Sequence, residues 1–492
     1  MKVCILTEGS KDIGFGHIAR CTAIYQALQE RAVQPTFIIS GDESARQQFK
    51  GSDISSISFD WLNDTERLFS YIEDGDIVFV DSYLADYNLY EKISKTAETV
   101  VYFDDEMRMD YPDGFVVNGA ILAEKMSYPE RKSGAYLLGA KYTPLRKEFW
   151  DVPAKQTRDI LKTVIITFGG TDICNLTPRI LKLLVDAYPQ LNKKVVIGKG
   201  FRNTSEIESV KDHNTDFVYY PDAAEMKNVM LESDIAISAG GQTLYELARV
   251  GVPAIAVAVA DNQSANVMGW QEVGFAEYAG GGADRELPEK IFRNIEQLKD
   301  KAIREHKSKL GRKIIDGTGS ARIVERVLSD FHKKQLILRK AAAADAEALF
   351  GLANDDIVRQ NSFSQGKIKW AEHIQWLNEK LGNGDCLLLI VDYSGKFAGQ
   401  VRFDVIPQQT EAVINISLCK SVRGLGLSPL VINKSIEELL NVRKDVKLIK
   451  AYVKDENIPS IKAFEKAGFR FSENTIINNC KTRAYERAVH NG

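Results

Sequence analysis

The feature that most restricts the fold is a set of short apolar runs without alternation. IVFV (77–80), VVYF (100–103), VIIT (164–167), AISA (236–239) and AIAVAVA (254–260) place small or apolar residues at consecutive positions. A strand with one face in water alternates apolar with polar residues, so runs of this kind mark parallel strands covered by helices on both faces. Residues 1–150 carry the resulting βαβ rhythm through VCILTEG, PTFIIS, DIVFVDS and TVVYFDD, with helical patterns between them. The rhythm restarts at TVIITFGGTD (163–172) and continues through KKVVIGKG, DFVYYPD, DIAISAGG and PAIAVAVA. Two Rossmann-like α/β domains in series are predicted, 1–152 and 153–334. Between them GAKYTPLRKEFWDVPAKQTRD contains prolines and no sustained period, which suits a crossover between two halves. Ligand is expected in the cleft they form.

A helical pattern over 301–333 ends in HKK, and a new unit begins at QLILRKA. It runs strand, helices near 345–354 and 369–380, strands CLLLIVDY, AGQVRFDV and AVINISLCK, a glycine-bearing turn, a helix, the strand KLIKAYV and another helix. Residues 335–492 are therefore read as an α+β domain. At 492 residues and 44% hydrophobic content, the chain can give three domains a core each.

Charge and cysteines narrow the function. Lys+Arg 64 against Asp+Glu 67 gives a net charge of −3, with no basic run interleaved with aromatics, which argues against nucleic acid as a partner. The start MKVCILTEGS reads as a strand and not as a signal peptide, and no stretch approaches the ~18 apolar residues of a membrane span, so a cytoplasmic location is expected. Cys4, Cys21, Cys174, Cys386, Cys419 and Cys480 lack metal-ligand or CxxC spacing and read as reduced packing residues. Nothing in the pattern specifies an oligomeric state.

In DIGFGHIAR (12–20) two glycines flank Phe15 and His17 follows. Gly14 and Gly16 let the turn after the first strand bend and let a ligand approach the backbone. His17 then stands at the mouth of a helix, at the carboxyl edge of the sheet, where open α/β folds bind ligands. A capping or packing histidine would occupy the same place; a neutral imidazole there is a candidate general base. In the second half, TFGGTD (Gly169, Gly170, Thr171) and SAGGQTLYE (Gly240, Gly241) each follow a strand and are expected to open a helix, turning amides and the positive dipole end toward the cleft. Two such turns on one sheet suggest a diphosphate, with Ser238 and Thr243 as hydroxyl donors. Glu246 is either a ribose acceptor or an ordinary helix glutamate. No Walker sequence GxxxxGKS/T is present, which favours a sugar nucleotide over a transferred γ-phosphate. Asp81 with Ser82, and Asp104 with Asp105, end neighbouring strands at the same edge, where they either orient the base and hold substrate or cap loops. No third ligand of suitable spacing accompanies them, so no metal is expected.

GFGHIAR (with Arg20), GAKYTPLRKEF, TFGGTD and SAGGQTLYELARVGVPAIAV followed by DNQ (with Asn262) resemble the UDP-sugar hydrolases of pseudaminic acid biosynthesis. These are relatives of the GT-B glycosyltransferase that adds N-acetylglucosamine to lipid-linked peptidoglycan precursors. The resemblance covers about 1–330 and implies a GT-B arrangement of the two Rossmann-like domains, with His17 catalytic and Gly240, Gly241, Thr243 and Glu246 on the nucleotide. It implies removal of UDP from UDP-2,4-diacetamido-2,4,6-trideoxy-β-L-altrose by water; a glycosyltransferase using a UDP-amino sugar is the alternative.

SVRGLGLSPLVI (421–432) links a strand to a helix through a glycine turn whose amides could face a pyrophosphate, although a tight turn would look the same. Together with VKDENIPSIKAFEKAGFRF (453–471), it resembles the GNAT acetyltransferases over about 336–488. The resemblance implies acetyl-CoA as co-substrate, held by Leu418, Arg423, Gly424, Gly426, Ser428, Asn457, Ser460 and Phe464. Ser428 stands where the family usually has Gly or Ala. Phe464 stands where many members have a tyrosine that protonates the CoA thiolate. NDDIVRQNSFSQGKIKWAEHIQWL resembles the sugar-nucleotide branch of the family, which implies N4-acetylation of UDP-4-amino-4,6-dideoxy-N-acetyl-β-L-altrosamine, with His373 or Asn361 in the acceptor site.

Overall fold

The computed structural model describes residues 1–10, 14–46, 49, 54–131 and 134–489; the side chains at 44, 46 and 262 lie outside that description. The chain divides into two compact units, Met1–Leu328 and Ser329–Gly492.

The first unit contains two parallel sheets. Strands β1 (Val3–Gly9), β2 (Thr36–Gly41), β3 (Ser56–Ser58), β4 (Ile77–Asp81), β5 (Thr99–Phe103), β6 (Gly114–Asn118) and β7 (Gly134–Leu138) are ordered 3-2-1-4-5-6-7. Strands β8 (Thr163–Thr167), β9 (Asn192–Ile197), β10 (Thr215–Tyr219), β11 (Ile235–Ala239), β12 (Ala254–Ala258) and β13 (Ala276–Gly281) repeat the pattern as 10-9-8-11-12-13. In both, the first strand lies inside the sheet and the chain winds outward twice, so the reversal of order falls beside β1 and β8 and opens a crevice at their carboxyl ends. The non-alternating runs have the predicted cause. All five residues of β4, β8, β11 and β12 are buried. Val164 and Ile166 enter one core with Leu181 and Ile295, while Ile165 between them enters another with Leu247 and Trp270.

The segment joining the halves has little regular structure beyond short 3-10 turns, so its carbonyls need partners from elsewhere. Arg249 donates to the carbonyls of Phe149 (2.9 Å) and Trp150 (2.6 Å), Arg312 to those of Val152 (2.9 Å) and Pro153 (3.0 Å), and the Ser320 hydroxyl to that of Leu145 (3.1 Å). The helix Gly319–Gln335 contains the division between the units and is followed directly by strand β14 (Leu336–Lys340).

The second unit is an α+β layer. To β14 it adds β15 (Cys386–Tyr393), β16 (Lys396–Ile406), β17 (Glu411–Leu418), β18 (Leu448–Lys454), β19 (Arg470–Ile477) and β20 (Cys480–Ala488), in the order 14-15-16-17-18-20-19. Neighbours are antiparallel except β17 and β18, which pair in parallel only over Glu411–Val413 and Leu448–Lys450. Past those residues the two strands no longer pair with each other, so the sheet splays between them. All six cysteines are unpaired. Among the described residues no helix is long and apolar enough to cross a membrane.

Candidate functional site

In the first unit a cavity of about 640 Å³ opens where the carboxyl edges of the two sheets meet. From the first half it receives the loop and helix that follow β1. Gly14 adopts a φ of +82°, the left-handed region open to glycine. Phe15 then leads into the helix Gly16–Gln29, where the amides of Gly16, His17 and Ile18 have no hydrogen-bond partner among the described residues. Gly14, Gly16, His17 and Arg20 all line the cavity.

His17 lies between two buried carboxylates. Its Nδ1 is 3.9 Å from Glu8 Oε1 and its Nε2 is 3.9 Å from Asp81 Oδ1. Tyr83 packs edge-on against the ring at 4.4 Å between centroids. Arg20 grips Asp81 with Nε and Nη2, both at 2.7 Å, and Asp105 with Nη1 at 2.6 Å. The Tyr83 hydroxyl donates to the other Asp105 oxygen at 2.6 Å. Burial opposes ionisation of Asp105, but the Arg20 charge and these hydrogen bonds hold its carboxyl below the usual range. Arg20 is therefore committed to two carboxylates at the cavity wall. Asp81 supports His17 and Arg20 from behind that wall.

The second half faces this group with its glycine turns. Gly169, Gly170 and Thr171 line the cavity, as do Gly240, Gly241, Thr243 and Glu246. After Gly240–Gly241 the helix Thr243–Val250 begins at once, and the amides of Gly241, Gln242 and Thr243 have no hydrogen-bond partner among the described residues. The first turn differs from expectation. Its helix, Leu176–Ala187, starts only after Asp172–Asn175, because the Asp172 carboxylate takes the amides of Leu176 and Thr177 at 2.9 Å each and caps the helix there. Glu246 Oε1 accepts from Arg146 Nη2 at 2.7 Å, so an arginine from the crossover reaches the cavity beside it.

Asp81, Asp104 and Ser238, all expected at this site, lie outside the cavity lining, Asp81 directly behind it. Asp104 accepts from the Tyr128 hydroxyl (2.6 Å) and from the amides of Glu106 and Arg108; it caps its own loop, and its neighbour Asp105 reaches the cavity instead. Ser238 is fully buried and donates to the Ala239 carbonyl at 3.1 Å. The side chain of Asn262 is outside the described residues. Among the described residues no three His, Cys, Asp or Glu side chains gather as a metal site.

In the second unit the turn after β17 leads into the helix Ser428–Val442. Gly424 and Gly426 take φ values of +85° and +74°, and the consecutive amides from Arg423 to Ser428 have no partner among the described residues. Leu418 ends β17, and its carbonyl accepts from Arg423 Nε at 2.8 Å. Arg423 Nη2 donates to Asp355 Oδ1 at 2.7 Å, and that hydrogen bond holds the Asp355 carboxyl below its ordinary range. Arg423 therefore shapes the loop.

Residues 163–327 match the family described as the glycosyltransferase family 28 C-terminal domain, and residues 335–470 match the acetyltransferase (GNAT) domain family. The chain joins a GT-B-like unit to a GNAT domain. An uncharacterised protein of Methanocaldococcus jannaschii is 22% identical over 96% of this chain and 97% of its own length. A spore coat polysaccharide biosynthesis protein of Bacillus subtilis is 23% identical over 68% of this chain and all of its own. A Helicobacter pylori protein named pseudaminic acid cytidylyltransferase and UDP-2,4-diacetamido-2,4,6-trideoxy-β-L-altropyranose hydrolase is 23% identical over 54% of this chain and 45% of its own. Among solved structures, a Vibrio cholerae spermidine N-acetyltransferase in complex with CoA and spermine aligns with 32% of this chain and 96% of its own, at 18% identity and a TM-score of 0.30.

Within the GNAT domain several expected site residues have structural work. Phe464 is 4% exposed, lies in the domain core and packs edge-on against Phe469 at 5.1 Å. His373 is buried among Phe350, Trp370 and Trp376, with Nε2 2.9 Å from the Ala346 carbonyl oxygen, and so joins two helices. Asn457 caps the helix Ile458–Lys466 by accepting from the Ser460 amide at 3.2 Å. Asn361 donates to the Ile357 carbonyl of its own helix. In the GT-B-like unit, Glu8, Tyr83 and Arg146 escaped the sequence reading. The available signals were an acid at the end of an apolar strand, for Glu8, and the crossover motif GAKYTPLRKEF, for Arg146.

Proposed function

We propose that the chain carries out two steps on a UDP-linked trideoxy amino sugar. In the GT-B-like unit, UDP is removed hydrolytically from UDP-2,4-diacetamido-2,4,6-trideoxy-β-L-altrose. Water attacks the anomeric carbon, the bond to the diphosphate oxygen breaks with its electron pair leaving on UDP, and His17 takes the proton from water. Amides at the mouth of the helix Thr243–Val250 meet the charge that develops on UDP. The observation that carries this reading is His17 at a helix mouth, in one cavity with both glycine turns. The name of the Helicobacter pylori relative supports the substrate. In the GNAT domain, acetyl-CoA acetylates the 4-amine of UDP-4-amino-4,6-dideoxy-N-acetyl-β-L-altrosamine, with its pyrophosphate on the amides from Arg423 to Ser428.

A second reading, transfer of the sugar to an acceptor, is favoured by the match of residues 163–327 to a glycosyltransferase family. Purified protein given the diacetamido substrate without acceptor separates the two: UDP release supports hydrolysis, and UDP release only on adding an acceptor supports transfer. In ¹⁸O-water the label is expected in the sugar; label in UDP would mean attack at phosphorus. His17→Ala is expected to leave UDP affinity within about threefold and to cut hydrolysis at least about a hundredfold, because a base acts on water and not on the nucleotide.

A further inference from the structure

Glu8, near the end of β1, is 2% exposed. Its carboxylate accepts from the Ser82 hydroxyl and from the amides of Tyr83 (2.7 Å) and Leu84 (3.2 Å), and no lysine or arginine is paired with it among the described residues. A buried carboxylate held only by neutral donors keeps its negative charge unbalanced, and so favours a positive charge that forms against it. The group in place to carry that charge is His17, with Nδ1 3.9 Å from Glu8 Oε1. The gap is too long for a hydrogen bond, so the coupling is one of charge.

The other groups around the ring do not supply the same balance. Asp81 of β4 is 3.9 Å from Nε2, but both its oxygens are held by Arg20, on the same helix as His17. Asp105, beyond β5, takes the remaining arm of Arg20 and the Tyr83 hydroxyl. Of the three carboxylates around the ring, Asp81 and Asp105 share the Arg20 guanidinium, and Glu8 is the one without it. The helix mouth at Gly16 opposes a positive imidazole.

We propose that Glu8 is a positioning residue of the hydrolytic site, stabilising through charge the imidazolium that forms when His17 takes a proton from water. It rests on the reading of His17 as the base. The proton passes from water to His17 and then to solvent, and the electron pair of the broken bond leaves on UDP.

The test uses the full-length protein and Glu8→Gln, which keeps the shape and removes the charge. With UDP release measured from pH 5 to 9, the acidic limb of kcat is expected to move to lower pH by at least about one unit, as a unit charge lost about 4 Å away requires. The plateau is expected to fall about threefold or more because the base is weaker, with KM within about twofold. A structural role for Glu8 would lower the rate and leave the limb in place. In parallel, ¹³C-histidine NMR follows the His17 ring, assigned by loss of its signal in His17→Ala, and its titration in Glu8→Gln is expected to move the same way. Unmoved titration would overturn the proposal and leave the base reading standing. Full hydrolysis by His17→Ala would instead sink the base reading and the positioning role of Glu8 with it, even if the NMR shift appeared. If Glu8→Gln melts early, Glu8→Asp replaces it, with a smaller displacement of the same sign expected; none would overturn the proposal.

Discussion

Replacing Arg20 by methionine tests the charge cluster behind the cavity. The arginine makes three short hydrogen bonds, two to Asp81, which is 1% exposed, and one to Asp105. Arg20→Met keeps most of the aliphatic stem but leaves both carboxylates without their guanidinium, a change that costs about 3–5 kcal/mol when the stranded charge is buried. A unit of 328 residues has an unfolding entropy of about 0.7 kcal/mol/K, so its melting temperature is expected to fall by about 4–7 °C at pH 7.5. The pH dependence has a definite sign. In the wild type Asp105 is held below its ordinary range, so its contribution is present above the unfolded-state value and is lost only as pH falls through the lower folded-state value. Nothing of it is lost between pH 7.5 and 5. In the variant, burial remains and Arg20 is gone, so the same carboxyl takes up a proton as pH falls and part of the penalty is relieved. The gap between variant and wild type should therefore narrow toward pH 5. Calorimetric unfolding at the two pH values measures it. A fall of less than 2 °C at pH 7.5, or a gap that widens toward pH 5, would refute the reasoning.

Gly426→Trp is expected to abolish CoA release from acetyl-CoA while UDP release from the diacetamido substrate continues; a side chain at φ +74° strains the loop and fills the space its amides face. Loss of both activities would show that the two sites are not independent, and persistent CoA release would remove the loop from the acetyl-CoA site. Phe464→Tyr is expected to destabilise the GNAT domain by about 1–3 kcal/mol, because the hydroxyl enters a packed core, and to leave acetyl transfer no faster. A faster acetylation rate would mean that the residue reaches the thioester after all.

The legible parts of this fold were those enforced by burial. Strands covered on both faces must be apolar throughout, so β4, β8, β11 and β12 stand out in the sequence. The glycine turns were legible for a related reason, since Gly14 and Gly426 occupy backbone conformations that other residues rarely enter. Side-chain direction was not legible. Asp104 and Asp105 are adjacent and chemically identical, and only the path of the loop sends one to backbone amides and the other to Arg20. Ser238, expected as a donor on the glycine turn, and His373, placed by resemblance in an acceptor site, each meet a buried carbonyl, a partner that the sequence does not reveal. Phe464 fits the family spacing, yet an apolar ring at a helix position facing the sheet is drawn into the core.

The Gly240 turn has a consequence for affinity. Gln263 Oε1 accepts from the amides of both Gly240 (3.1 Å) and Val259 (3.2 Å), and Asn266 donates to the Gly240 carbonyl at 2.7 Å while accepting from the Tyr245 hydroxyl. Fixing a backbone residue costs about 1–2 kcal/mol of conformational entropy, and here that cost falls on folding and not on ligand capture. Whatever enters the turn meets a rigid cradle, so how tightly it is held is set partly by two amide side chains whose own hydrogen bonds go to the turn and its supporting helix.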